Sequence, residues 1–310
     1  MPIPANHRED RRVPKSESTA VKLRTLLGDH PSTRQLKAGA IASPRVTFDF
    51  ADVKVPNRAF KQVVRENAFD LAELAIITYL QAKALGKPLV LLPATIVGRH
   101  QHGYLVYNPA RGELAPSELA GRRVGVRSYP VTTATWVRGI LAHDHGVDLD
   151  RVRWVTFEDP HLAEYREPPT AERAPPGKDP LAMLQEGELD AAVVGAPLPA
   201  DSPLAPLIPD PNAAGREWCL RNHAVPINHL AVVKQSLVES RPEIVREVYG
   251  LLREASQNVP APADGINMLP FGVDALRPSL ALAIDYAFEQ GLLARRLEVD
   301  ELFDDTTRAL

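Results

Sequence analysis

A chain of 310 residues with a net formal charge of −3 is long enough for one large or two medium domains. That charge gives no general electrostatic reason to bind nucleic acid or acidic membranes. The single cysteine, Cys219, excludes an internal disulfide framework and suits a reducing compartment. Met1 to Ala20 is polar, charged and proline-bearing, so no secretory signal is visible. The longest apolar run, near Leu74–Leu80, is too short and polar to span a bilayer. The expectation is a soluble, cytoplasmic protein with no nucleic-acid or membrane partner, with homo-oligomerisation left open.

In chain order, residues 1–20 read as a flexible tail. Val21 to Leu27 alternates as a strand and ends at Gly28-Asp29-His30-Pro31, leaving Asp29 and His30 at its carboxyl end. Arg45 to Phe50 is a second strand, Asn57 to Glu66 a helix, and Phe69 to Leu74 a third strand. A helix over Ala75 to Leu85 stops at Gly86 and Pro88. Leu89 to Pro93 and Tyr104 to Tyr107 are apolar strands, with Gly98-Arg-His-Gln-His102 between them.

Gly121 to Gly139 is the most informative stretch. Val124-Gly-Val126 is a short buried strand, Ser128-Tyr129-Pro130 turns the chain, and Val131 onward takes helical spacing. A strand feeding a helix start offers free N–H groups and a positive helix end, to which Thr132 and Thr133 add hydroxyls. Arg127 adds a guanidinium that can grip a carboxylate with two parallel bonds. The alternative is an ordinary strand-turn-helix unit with a capped helix.

Arg151 to Phe157 is a strand ending in Glu158-Asp159-Pro160-His161. An irregular span with five prolines follows over Glu164 to Pro180. Leu181 to Gly187 is a helix, Leu189 to Gly195 a strand, Asn212 to His223 a helix and Pro226 to Val233 a strand. From Ser236 onward the pattern is helical. Pro242 opens one helix, and Leu276, Leu280, Ile284, Phe288 and Leu292 form an apolar stripe on another.

Strands alternating with helices imply an α/β fold with mainly parallel sheets. Changes of sheet near Asn108 and Pro226 divide it into two lobes, 21–107 plus 227–310 and 108–226, with a cleft between them. Ligands in such folds sit beyond the carboxyl ends of the strands. That shortlists Asp29, His30, Glu73, Arg99, His102, Arg127, Tyr129, Glu158, His161, Asn228 and His229. Glu73 reads slightly better as a cap for the following helix than as a ligand group. His143 and His145 read as solvated, Trp136 as core, and Cys219 lacks any spacing-based case as a nucleophile. His100 and His102 on one strand face could complete a divalent site with Glu158 and His161, but two-residue His spacing is common by chance, and no metal is expected.

Phe69-Asp-Leu-Ala-Glu-Leu74, Gly121-Arg-Arg-Val-Gly-Val126, Gly187 to Gly195 and Pro226-Ile-Asn-His229 resemble the type 2 periplasmic-binding-protein fold. Arg127 to Gly139, Thr156-Phe-Glu-Asp159 and Glu164-Tyr-Arg-Glu-Pro-Pro169 with Glu172-Arg-Ala-Pro175 resemble the 4,5-dihydroxyphthalate decarboxylases. The likeness runs from about Leu23 to Leu252.

The resemblance implies a non-oxidative decarboxylase of a hydroxylated aromatic dicarboxylate such as 4,5-dihydroxyphthalate. Direct loss of CO2 would leave a prohibitive aryl carbanion, so the ring carbon bearing the carboxylate is protonated first. The deprotonated para oxygen feeds electrons to that carbon. Such a site needs a base, an acid and cations for the carboxylates, and no organic cofactor. His229, His102, His161 and Glu158 are the expected proton-transfer groups. Arg127, Arg99, Tyr129, Thr132, Thr133, His30 and Asn228 are expected to bind the substrate. The competing reading is a non-catalytic binding or sensing protein for a small anionic solute.

Overall fold

The computed structural model describes residues 20–260 and 262–310. The tail expected over 1–20 therefore lies, Ala20 apart, outside the described residues. The strands in chain order are β1 (Val21–Leu26), β2 (Val46–Phe50), β3 (Leu71–Ala75), β4 (Leu89–Gly98), β5 (Leu105–Tyr107), β6 (Arg123–Val126), β7 (Arg153–Thr156), β8 (Ala171–Arg173), β9 (Ala191–Val193), β10 (Ala205–Pro206) and β11 (Ile227–Lys234). They form one sheet in the order β2-β1-β3-β11-β4 and a second in the order β10-β5-β9-β6-β7-β8. With helices packed on both, this is the expected two-lobed α/β architecture.

Parallel pairings are in the majority, and two strands mix antiparallel pairings into the sheets. β1 pairs in parallel with β2 and β3, and β6 with β7 and β9. β5 and β11 run antiparallel to their neighbours. Both are strands that enter a sheet from the other lobe. They are not delivered by a strand-helix-strand crossover, which would have imposed a parallel direction. β5 also moves the first lobe boundary: it lies in the second sheet, so the chain crosses between Gly98 and Leu105 and not near Asn108. The chain returns to the first sheet at Ile227, where β11 begins.

β4 continues five residues past Pro93, where the sequence suggested a stop. It is an edge strand, and its register with β11 slips between Leu91 and Thr95, the stretch that contains Pro93. A proline with no N–H to donate is harmless there. The span Glu164 to Pro180 is not wholly irregular, since β8 within it adds to the second sheet beside β7. Helix Pro180–Glu186 starts where Asp179 accepts from the N–H groups of Leu181 and Ala182, both at 3.0 Å.

Helix Val273–Glu289, which follows the return to the first lobe, packs on helix Thr132–His145 of the second. Its apolar stripe is buried at Leu276, Leu280 and Ile284. Trp136 meets Tyr286 edge-on at 5.6 Å and donates from Nε1 to the Ile227 carbonyl at 2.8 Å. Gly139 makes the close approach possible, because a Cβ there would sit 2.0 Å from the Tyr286 ring. Gly139→Ala should therefore force the two helices apart and cost about 1–3 kcal/mol, as overpacking does. Urea unfolding would measure it, and an unchanged midpoint would mean that the helices separate freely.

Candidate active site

The β3–β11 pairing builds the central feature. β11 lies antiparallel to β3 with His229 opposite Ala75 and Ala231 opposite Glu73. Alternate residues share a face, so the imidazole and the carboxylate become diagonal neighbours. His229 Nδ1 lies 3.0 Å from Glu73 Oε1. β1, on the other side of β3, ends at Leu26, and two residues on the Gly28 N–H donates to Glu73 Oε2 at 2.6 Å. His30 then folds back so that its Nε2 is 3.0 Å from both carboxylate oxygens. Only glycine fits at position 28, since a Cβ would lie 2.5 Å from that nitrogen.

Glu73 has no exposure to solvent. Burial alone would raise its pKa, but hydrogen bonds from His229 and His30 outweigh it and lower the carboxyl from 4.5 to about 2. An ionised carboxylate only accepts, so both imidazoles must donate to it. His229 therefore carries its proton on Nδ1, and its Nε2 is left to exchange a proton elsewhere.

His30 and His229 line a cavity of about 290 Å³ between the lobes. Two helix starts face it, one from each lobe: Ile76–Ala84, which follows β3 directly, and Thr132–His145. The residues before them, Ala75 and Val131, have no side-chain oxygen to cap with, and the starts meet where Ile77 N–H donates to Thr132 Oγ1 at 3.3 Å. First-turn N–H groups and two positive helix ends thus converge on one space. Arg99 lies 4.0 Å over the Tyr104 ring and donates to Thr133 Oγ1 at 3.2 Å and to the Gly195 carbonyl at 3.3 Å. Its Nε is buried without a partner, and burial lowers its pKa. Asn228 also donates to Thr133 Oγ1, at 3.2 Å, and accepts from Gln101 at 2.7 Å.

His161 closes one side. Its Nδ1 is 2.8 Å from Thr78 Oγ1, and Phe60 stands edge-on between it and His229, with ring centroids 5.5 and 5.2 Å away. Burial, then the charges of Arg127 and Lys61, push His161 down to about 3. It is a neutral imidazole at any ordinary pH, suited to accept a hydrogen bond and unsuited to deliver a proton. Arg65 anchors this loop across the lobes through the carbonyls of His161 and Pro160.

Of the residues expected from the sequence, His30, Arg99, Arg127, Thr132, Thr133, His161, Asn228 and His229 come together around the cavity. Three do not. His102 packs behind it, against helices Thr132–His145 and Pro211–Asn222, where burial lowers its pKa to about 4. Tyr129 is buried beneath the fully buried guanidinium of Arg138, 4.0 Å above its ring. Its place in the turn made it look accessible, but the turn folds inward to cover that cation. Glu158 is exposed at the cavity mouth and bound to Arg127 at 2.9 Å, so it positions a cation rather than facing the ring space.

Sequence reasoning undervalued Glu73, although a carboxylate inside a strand as apolar as Leu71–Ala75 was itself a signal. It missed Phe60 and Thr78, whose local sequence says nothing of their role. The four-residue grouping weighed for a metal does not assemble. His100 is tied to Asp264 at 2.9 Å and is not in a strand. Among the described residues, the trio with donor atoms close enough to hold a metal ion is His30, Glu73 and His229, all within 4.8 Å of one another. Hydrogen bonds already satisfy those atoms mutually.

Two lobes around a cleft define a periplasmic-binding-protein-like fold, and solved structures bear out that fold. The alkanesulfonate-binding protein SsuA from Xanthomonas axonopodis pv. citri bound to MOPS matches with a TM-score of 0.57 over 91% of this chain and 98% of that one, at 14% identity. The desulfurization enzyme DSZB matches with a TM-score of 0.55 over 93% and 98%, at 16% identity. No family model matches the sequence. In sequence the chain is similar to two proteins named 4,5-dihydroxyphthalate decarboxylase, each at 28% identity. The Comamonas testosteroni protein aligns over 72% of this chain and 71% of its own length, and the Pseudomonas putida protein over 64% and 81%.

The lowered Glu73 pKa ties stability to acid. Its contribution is complete above about 4.5 and is lost as pH falls through about 2. Glu73→Gln should lower stability near neutrality by about 1–3 kcal/mol, the cost of disturbing buried hydrogen bonds. The difference between variant and wild type should shrink between those two pH values. Urea midpoints measured across the window would test this, and a constant difference would show that the carboxylate is not ionised by its partners.

Proposed function

We propose that the chain is a non-oxidative decarboxylase of a hydroxylated aromatic dicarboxylate such as 4,5-dihydroxyphthalate. The observation that carries this reading is the Glu73-backed His229 on the wall of a cavity that also holds Arg99, Arg127 and two helix starts. A solute receptor needs only the cationic half of such a site, whereas an imidazole oriented by a buried carboxylate is what general acid–base chemistry calls for. The similarity to two named decarboxylases supports the same reading.

In the scheme, Arg99, the Thr132/Thr133 helix start and the start at Ile76 hold a substrate carboxylate. The phenol para to the reacting carboxylate, whose O–H first donates to neutral His161, releases its proton to solvent and takes one back after CO2 has left. His229, protonated on both nitrogens, donates from Nε2 to the ring carbon, forming a C–H bond while the para oxygen becomes a carbonyl. The C–C bond to the carboxylate then breaks, CO2 leaves, and the electron pair restores the aromatic ring. Net consumption is one proton per CO2. Glu73 stabilises the doubly protonated His229 and fixes its tautomer.

His229→Asn is expected to cut turnover about 100-fold or more while leaving the Michaelis constant nearly unchanged. CO2 release from 4,5-dihydroxyphthalate by purified protein is the direct assay. If the compound binds but no CO2 appears, the chain is a small-anion binding protein. That second reading draws on the same helix starts and on the sulfonate-binding neighbour.

A further inference from the structure

A second concavity, of about 400 Å³, opens directly onto the first and shares Asn57, Arg127 and His161 with it. Its other charged groups are Arg58, Lys61 and Glu158. Arg58 lies in the turn Pro56–Ala59 and Lys61 in helix Phe60–Glu66, both of the first lobe. Arg127 and Glu158 face them from the second lobe and neutralise one another across 2.9 Å. Neither Arg58 nor Lys61 makes an ion pair or a side-chain hydrogen bond with any described residue. Two uncompensated cations therefore stand at the mouth of a cavity whose interior is itself anion-favouring.

Arg34, Arg45 and Arg122 have carboxylate partners, while Lys54, Lys83 and Arg153 have none among the described residues; what sets Arg58 and Lys61 apart is that they stand together at the cavity mouth. A pair left unpartnered around a mouth focuses field lines into it, and the low-dielectric walls strengthen the effect. We propose that this vestibule is an electrostatic entry subsite, in which Arg58 and Lys61 draw doubly charged aromatic carboxylates toward Arg127 and the cavity. Its function is recruitment, so it acts on the association rate and leaves the bound complex unaltered. The gain is greatest for a dianion, because the attraction scales with ligand charge, and the subsite thus favours dicarboxylates over monocarboxylates before any inner contact forms. Glu158 keeps Arg127 turned toward the mouth until an incoming carboxylate competes for it.

This inference deepens the decarboxylase reading by naming how its substrate class is selected, and it can fail separately. The probe is phthalate, which has both carboxylates and lacks the hydroxyls needed for turnover, with benzoate as the singly charged control. Stopped-flow tryptophan fluorescence of the whole chain would give association and dissociation rates at low and high ionic strength. For the wild type, phthalate association should fall steeply with salt and that of benzoate much less. In Arg58→Gln/Lys61→Gln, phthalate association at low salt should drop about tenfold and lose most of its salt dependence, with dissociation nearly unchanged. Both side chains are solvent-accessible, and circular dichroism would check that the variant is folded. A variant with the wild-type association rate and salt dependence overturns the entry subsite, as does a wild type that does not bind phthalate. A wild type with the expected salt dependence that releases no CO2 from 4,5-dihydroxyphthalate keeps the subsite and sinks the decarboxylase reading.

Discussion

One buried carboxylate organises the site. Glu73 sits in a strand with no solvent access, and an ion there is tolerable only if donors surround it. Three do: the Gly28 N–H just past the end of β1, His30 beyond it, and His229 from β11. Each donor comes from a different part of the chain, so the ion binds three segments of the first lobe together at the floor of the cleft. The same demand fixes the hydrogen on Nδ1 of His229. A structural requirement, satisfying a buried charge, and a chemical one, presenting a particular ring nitrogen, are met by a single hydrogen bond.

The anion-favouring half has a different origin. Helix Ile76–Ala84 leaves the end of β3 without a spacer, and helix Thr132–His145 starts a few residues beyond β6. Each lobe thus directs one uncapped helix start at the other. Arg99 enters the space from the crossing between β4 and β5, one residue past the end of β4, and Tyr104 and Gly195 hold its guanidinium. The chain crossings are therefore part of the site, because they bring a cation and an imidazole to where the two lobes meet.

The lobes are more than hinged neighbours. Helix Val273–Glu289 lies on helix Thr132–His145, and a continuous apolar core runs through both lobes. Arg138, fully buried and in no ion pair with any described residue, donates from Nε to Gln290 and from Nη2 to the Tyr129 carbonyl, leaves Nη1 without a partner, and lies over aromatic faces. Burial lowers its pKa, yet cation–π attraction and neutral acceptors keep it in place. This packing holds the two helix starts in a fixed relation across the cleft.

Local pattern was enough for much of this. Alternation and apolar runs located most strands, proline and glycine marked most helix ends, and the strand-turn-helix over Gly121 to Gly139 was legible as such. These features depend on residues near in sequence, where periodicity and backbone preference act directly. What pairing across the chain decides was hidden. The crossing strands β5 and β11 took antiparallel places that no local signal encodes, and the first lobe boundary moved with β5. Glu73 became the centre of the site only because β11 set His229 beside it, from 156 residues away in sequence. His102 and Tyr129 failed as site residues for the converse reason: both sit in promising turns, but packing turned them inward, one behind the cavity and one beneath Arg138. Sequence determines which side chains have the chemistry, and long-range register and burial determine which of them can meet.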